Sequence, residues 1–351
     1  MILTTEKGLK RDACEMFRLV QAYMGDRKLK SGQTTEAIAL DITTRGWAKS
    51  PLRDEIYIQI CRQTTDNPRR ESVLLGWELI AICVYFFPPS EKFQPYLESY
   101  IRRHVDDEGA GPEGHYAQVC SKRLERMARC GLRKGLKKPT LEEIEQARIQ
   151  IFRPSMFGNT LEEIVGLQRG RFPNRKLPWI QTTLSDAVLR LGGTSTEGIF
   201  RVPGDIDEVN SLKARMDQWE EVDATDPHVP ASLLKLWYRE LYEPLIPHDL
   251  YEASVEACND PAAAVAIVAR LSPLNQLVLT YLIHFLQLFS QEGNVVATKM
   301  DANNLAMVMA PNCLRCMSDD PRVIFENTRK EMAFLRLLIE HLDTSSVAGL
   351  S

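Results

Sequence analysis

An all-α fold of two helical domains is predicted by three features of the sequence. Apolar residues recur at helical spacing along nearly the whole chain. No run of alternating apolar and polar residues bounded by hairpin turns occurs. The length, 351 residues, exceeds what one ordinary core holds. A composition of 44% hydrophobic and 26% charged residues excludes the disordered and fibrous classes.

In the first half, EIYIQICRQTT (55–65) and LLGWELIAICVYFF (74–87) read as core helices parted by the turn-like DNPRR. A helix restarts after Pro88 and Pro89, with Ser90 as N-cap. DDEGAGPEG (106–114) reads as a loop, and HYAQVCSKRLERMARCG as a helix closing at Gly131. GLRKGLKKP (131–139) marks a boundary, and Thr140-Leu-Glu-Glu143 is a capping-box signature that opens a short helix. The expected division is therefore a first domain over 1–139, a short, partly helical connector over 140–153, and a second domain over 154–351.

In the second domain, helices are expected over Leu184–Arg190, Asp205–Trp219, Ala231–Leu241, Asp249–Ala257, Ala262–Ser290, Asp301–Met309 and Phe325–His341. Asp205 and Glu208 have the spacing of an N-cap and its box partner. The uncharged stretch from Leu271 to Gln291 is long enough to raise a transmembrane reading. Its Pro273, Asn275, Gln276, His284 and Gln287 argue instead for a buried helix, so no transmembrane segment is expected. MILTTEKGLKRDA lacks the apolar core of a secretory signal.

Residues 1–150 carry 25 Lys+Arg against 21 Asp+Glu, and residues 151–351 carry 18 against 26, so the halves stand at +4 and −8. Neither excess predicts nucleic-acid binding. Cys14, Cys61, Cys83, Cys120 and Cys258 fall inside apolar helical patterns, where a thiol packs as a small hydrophobe, and this points to a reducing, cytoplasmic location. Cys313 and Cys316 form a CxxC with no second ligand pair nearby, so no metal is expected.

No nucleophile elbow, phosphate-binding loop, HExxH or dinucleotide fingerprint is present, and the chain reads as no stand-alone enzyme, with no cofactor of its own. Three stretches still carry chemistry. In GTSTEGIFRVPG, Arg201 stands between an apolar anchor, Ile199 and Phe200, and the turn at Pro203-Gly204; on spacing alone the plainer reading is a surface arginine. In VPASLLKLWYRELYEPLIP, Leu234, Trp237, Tyr238 and Leu241 define a buried stripe, and Lys235 and Arg239 sit one turn apart beside it. Like charges at i, i+4 suit an acidic partner, backbone carbonyls or a phosphate, although a solvated helix face is the plainer reading. In KMDANNLAMVMAPNCL, Asn303, Asn304 and Asn312 lie at helix ends, where asparagine is ordinarily a cap.

In this order and at these separations, the three stretches resemble the Rho GTPase-activating (RhoGAP) domain family. The matches are Gly198–Arg201 to its GIFR loop, Lys235–Leu245 to its K-x-x-x-R-E-L-x-E-P-L helix, and Asn304–Asn312 to its N-L-A-x-x-x-x-P-N helix. The resemblance implies that Arg201 is an arginine finger inserted into a GTP-bound Rho-family GTPase. It further implies that Lys235 and Arg239 bind the switch surface and brace the loop, and that Asn304 and, more weakly, Asn312 face the partner. Tyr242 stands where the family commonly has proline.

The first half is similar to the MyTH4 domain of myosin tails, through LRDEIYIQICRQTTDNP, GWELIAI and FPPSEKFQPYL. This implies a cytoskeletal or other protein partner, microtubules among them. Lys122, Arg126, Arg129 and Arg133 recur at helical spacing, with Arg123 and Lys134 beside them, as a candidate patch for an acidic partner; a solvated helix end is the plainer alternative. The pairing resembles the C-terminal region of the Vilse/CrossGAP group of Rho regulators, which implies Rac- or Cdc42-type substrates and further N-terminal modules. The competing function is a non-catalytic GTPase-docking or cytoskeletal adaptor.

Overall fold

The computed structural model describes residues 7–105, 111–130, 138–318 and 320–350. All regular structure among them is helical. The chain divides into two compact units, Met1–Pro154 and Ser155–Ser351.

The first unit contains α1 (Lys7–Tyr23), α2 (Thr35–Ala48), α3 (Ser50–Thr64), α4 (Arg70–Phe86), α5 (Gln94–Val105), α6 (Pro112–Cys130) and α7 (Leu141–Phe152). Its centre is α4, packed against α2, α3, α6 and α7. Trp77 and the run Leu79–Val84 are buried, which accounts for the nearly continuous apolar sequence there. Trp77 stacks on Tyr100 of α5 at 5.4 Å. The Ser90 hydroxyl accepts from the Phe93 N–H at 3.2 Å and leads into α5.

Thr140 and Glu143 form both bonds of the expected capping box. The helix they open, α7, packs on α2 and α4, so the segment expected as a connector folds with the first unit. Its Ile144, Ala147 and Ile151 are buried in that unit's core.

The second unit contains α8 (Leu161–Gln168), α9 (Trp179–Arg190), a 3-10 turn (Gly193–Ser195), α10 (Ile206–Met216), α11 (His228–Glu240), α12 (His248–Glu256), α13 (Pro261–Val268), α14 (Pro273–Phe289), α15 (Glu292–Thr298), α16 (Ala302–Cys313) and α17 (Pro321–His341). The stripe expected on α11 is fully buried at Leu234, Trp237 and Tyr238. Buried Gln181 on α9 ties three helices together, donating to the Tyr238 hydroxyl at 2.7 Å and to the Val278 carbonyl at 2.9 Å.

The single helix expected over Ala262–Ser290 is two, because Ser272 caps α14 by accepting from Asn275 N–H at 3.2 Å and Pro273 cannot continue a helix from behind. No helix among the described residues is long and apolar enough to cross a membrane. Helix α16 runs past Met309 through Pro311 to Cys313.

Candidate functional site

The loop after α9 is anchored on both sides of Arg201. Gly198 has φ +69°, a left-handed conformation that glycine adopts without cost, and its N–H donates to the Thr298 carbonyl at 2.7 Å. Ile199 and Phe200 are buried. The Phe200 ring meets Phe285 and Phe289 of α14 edge-on, at 5.8 and 5.1 Å. Phe200 itself holds φ +67°, rare for a bulky residue, and the surrounding rings keep it there.

The N–H groups of Arg201 and Val202 both return to the Gly198 carbonyl, at 2.9 and 2.8 Å, closing a tight turn. On the far side, Gly204 N–H donates to the Ser232 hydroxyl at 2.9 Å. A Cβ on Gly204 would lie 2.8 Å from the backbone of His228 and Val229, so only glycine fits against α11. Asp205 then caps α10, accepting from Asp207 and Glu208 N–H at 2.9 and 3.0 Å. Between these anchors Arg201 is exposed.

Helix α11 supplies the other two cations. The half-buried Lys235 ammonium donates to the Phe200 carbonyl, one residue before Arg201. Burial, and then the charge of Arg239, holds the Lys235 pKa below the usual lysine range. Arg239 is exposed one turn on, and α11 is closed beyond it by Arg315, whose guanidinium donates to the carbonyls of Arg239, Leu241 and Tyr242.

Arg201, Lys235, Arg239 and Asn312 line one hollow of about 420 Å³, with Ile206, Leu236, Val308 and Pro311 as its apolar walls. No acidic side chain lines it, so three cations face an open cleft in a unit of net negative charge. Ile206, 66% exposed at its rim, escaped the sequence reading; an apolar residue directly after an N-cap was the available signal. Ser232 and Leu236 gave no signal, because only the packing of α10 and α16 against α11 brings them to a surface.

The two asparagines differ in placement. Asn304 lies outside the hollow; the cap of α16 is Asp301, which accepts from Asn304 N–H at 2.8 Å, while the Asn304 amide donates to the Lys299 carbonyl at 3.0 Å. Asn304 thereby steadies the turn whose Thr298 carbonyl receives Gly198. Asn312 reaches the hollow but is only 7% exposed, with its amide turned back to the Val308 carbonyl at 2.8 Å.

The basic patch expected on α6 is corrected at two of its residues, Arg123 and Arg126, which the bundle buries. Arg123 and Arg126 are 6% and 7% exposed. Arg123 points into the bundle, donating to the carbonyls of Ala81 at 2.6 Å and Ala147 at 3.0 Å. Its guanidinium also lies 5.2 Å over the Tyr85 ring. Charge periodicity identified one face of the helix, but α4 and α5 pack against α6, and Arg123 reaches the Ala147 carbonyl of α7. Lys122 is exposed, while Arg133, Lys134 and the side chain of Arg129 lie outside the described residues.

The family model of the MyTH4 domain matches residues 39–146, and that of the RhoGAP domain matches residues 178–318, which contain the loop, the α11 cations and the hollow. The chain carries a MyTH4 domain followed by a RhoGAP domain. It is similar to GTPase activating protein homolog 3 of Dictyostelium discoideum, 38% identical over 53% of this chain and 14% of that protein. It is also similar to human Rho GTPase-activating protein 24, 34% identical over 55% of this chain and 27% of that protein. The chain thus spans well under a third of the length of either relative. Human Rho GTPase activating protein 15 superposes with a TM-score of 0.49 at 24% identity, covering 59% of this chain and 99% of its own.

Proposed function

We propose that the RhoGAP domain accelerates GTP hydrolysis by a Rho-family GTPase in its GTP-bound form, with Arg201 entering the partner's site in trans. The observation that carries this reading is an exposed arginine on a loop pinned at both flanks, on the rim of a hollow lined by three cations and no acid. Negative charge grows on the phosphoryl oxygens during transfer, and a guanidinium meets it with a planar, permanently charged donor fork. Such a finger raises the rate by roughly 10³ to 10⁵.

In this account Lys235 holds the Phe200 carbonyl and hence the approach of Arg201, Arg239 meets acidic groups on the partner, and Asn304 supports the loop from behind. The relatives named above as GTPase-activating proteins support the activity. Rac- and Cdc42-type GTPases are the favoured substrates, in line with the resemblance to the Vilse/CrossGAP group, and the MyTH4 domain supplies attachment to a cytoskeletal or other protein partner. Single-turnover hydrolysis by Rac-, Cdc42- and Rho-type GTPases with the full chain tests this. Acceleration strongest on the first two is expected; none on any of the three would make the domain a docking module and sink the reading.

A further inference from the structure

At the end of α9 away from Arg201, a basic loop rests on an aromatic base. Helix α9 has 12 residues, which makes it about 18 Å long. The finger loop follows its C-terminus, and the segment Arg169–Lys176 precedes its N-terminus. Helix α10 starts beside the finger loop and delivers Trp219 beyond its own far end. Both helices therefore separate the hollow from this surface.

Arg169, Arg171, Arg175 and Lys176 fall within eight positions, and no acidic residue occurs from 164 to 185, although residues 151–351 carry a net −8. Arg169, Arg171 and Lys176 are exposed. Among the described residues none of the four forms an ion pair within 4 Å, and only Arg175 has an acidic neighbour in electrostatic range, Asp186, which leaves Arg169, Arg171 and Lys176 uncompensated.

Beneath the cations, Phe172 stacks on Trp179 at 6.1 Å and Trp219 meets both, at 5.9 and 5.2 Å. Arg171 lies 5.6 Å over the Trp219 ring and Arg175 5.4 Å over that of Phe172, which fixes two guanidinium groups in place before any partner arrives. Trp219 is held at φ +64°, a conformation rare for tryptophan, and only half-buried.

We infer that this end of the RhoGAP domain docks on an anionic phospholipid membrane. The half-buried Trp219 beside exposed Arg169, Arg171 and Lys176 matches what the headgroup region favours: an amphipathic ring at its level and cations in its negative potential. The remainder of the domain is net acidic, and its other cationic cluster, Arg201, Lys235 and Arg239, is gathered around the hollow with no exposed aromatic ring beside it, so a membrane selects the Trp219 end and leaves the hollow, at the other end of α9, open to a protein partner. The inference does not depend on the proposed activity.

Each cation near such a surface strengthens partition about fivefold. The full chain is sedimented with vesicles of phosphatidylcholine alone and of phosphatidylcholine with phosphatidylserine. Binding only to the latter, weakened by salt, is expected, with a loss of at least about 25-fold in the paired variant Arg171→Glu, Lys176→Glu. The pair Arg169→Glu, Lys176→Glu leaves the ring contacts untouched and is expected to lose as much, which separates charge from folding. Charge reversal at Arg102 and Arg103, exposed on the first unit, should change nothing. Absence of vesicle binding, equal binding by the loop variants, or an equal loss at Arg102 and Arg103 overturns the inference. Capture of polyglutamate or an oligonucleotide without vesicle binding overturns it too, and assigns the surface to an acidic macromolecule.

Discussion

Lys235→Met separates the brace from the finger. Methionine keeps the aliphatic stem on α11 and removes the ammonium that donates to the Phe200 carbonyl. A hydrogen bond from a charged donor is worth about 1.5–3 kcal/mol, toward the lower end for a half-buried group. The left-handed backbone of Phe200 costs of order 1–3 kcal/mol, so brace and strain are comparable. Without the brace the turn relaxes, and Arg201 is in register for only part of the time.

At 1.4 kcal/mol per decade, a roughly 10- to 100-fold fall in the maximal hydrolysis rate is expected, measured in single turnover with the activator in excess. Stability responds differently with pH. The Lys235 pKa is lowered chiefly by burial, so the folded chain binds fewer protons than the unfolded one between that lowered value and the ordinary 10.5. Stability therefore rises with pH across this window, and Lys235→Met removes the rise. Full hydrolysis rate in the variant would refute the brace; an unchanged alkaline slope in urea unfolding would refute the role of Lys235 in it.

Three further outcomes follow from the same structure. Gly204→Ala places a Cβ 2.8 Å from the His228 and Val229 backbone and should cost about 1–3 kcal/mol and displace the finger loop, while Gly166→Ala, with open space around it, should be neutral or stabilising by urea unfolding. Arg123→Ala leaves the Ala81 and Ala147 carbonyls without their donor and should destabilise the MyTH4 unit by about 3 kcal/mol, read as an earlier thermal transition of that unit alone. Burial raises the Glu331 pKa above the usual 4.5, against the Tyr251 hydroxyl bond that lowers it, so its contribution to stability falls as pH climbs from 4.5 through the raised value. Glu331→Gln keeps an acceptor for Tyr251 and should gain stability over the wild type above that window, with no gain below it, when unfolding is followed at both pH extremes.

The features that local chemistry decides were legible in the sequence. The α11 stripe, the Thr140 box and the turn at Pro203-Gly204 each follow from spacing within a few residues. The break at Ser272-Pro273 was also written locally, as a cap followed by a proline, but the apolar run across it concealed the cap. Other features depend on what packs where. Periodicity put Arg126 on one face of α6 without saying that the bundle covers that face, and a phenylalanine gives no sign that it will hold a positive φ. The hollow is assembled from α10, α11 and α16, so Ser232, Leu236 and Val308 had nothing local to mark them.

The proposed function turns on the Arg201 guanidinium meeting the charge that grows on the transferring phosphoryl group. Single-turnover GTP hydrolysis by the responsive Rho-family GTPase, compared across wild type, Arg201→Ala and Arg201→Lys, tests it most directly, with binding of the three proteins to the GTP-bound GTPase measured alongside. Loss of roughly 10³-fold or more in the alanine variant is predicted, with binding largely retained and lysine recovering little because it lacks the donor fork. Near-full acceleration by Arg201→Ala would show that another group meets that charge.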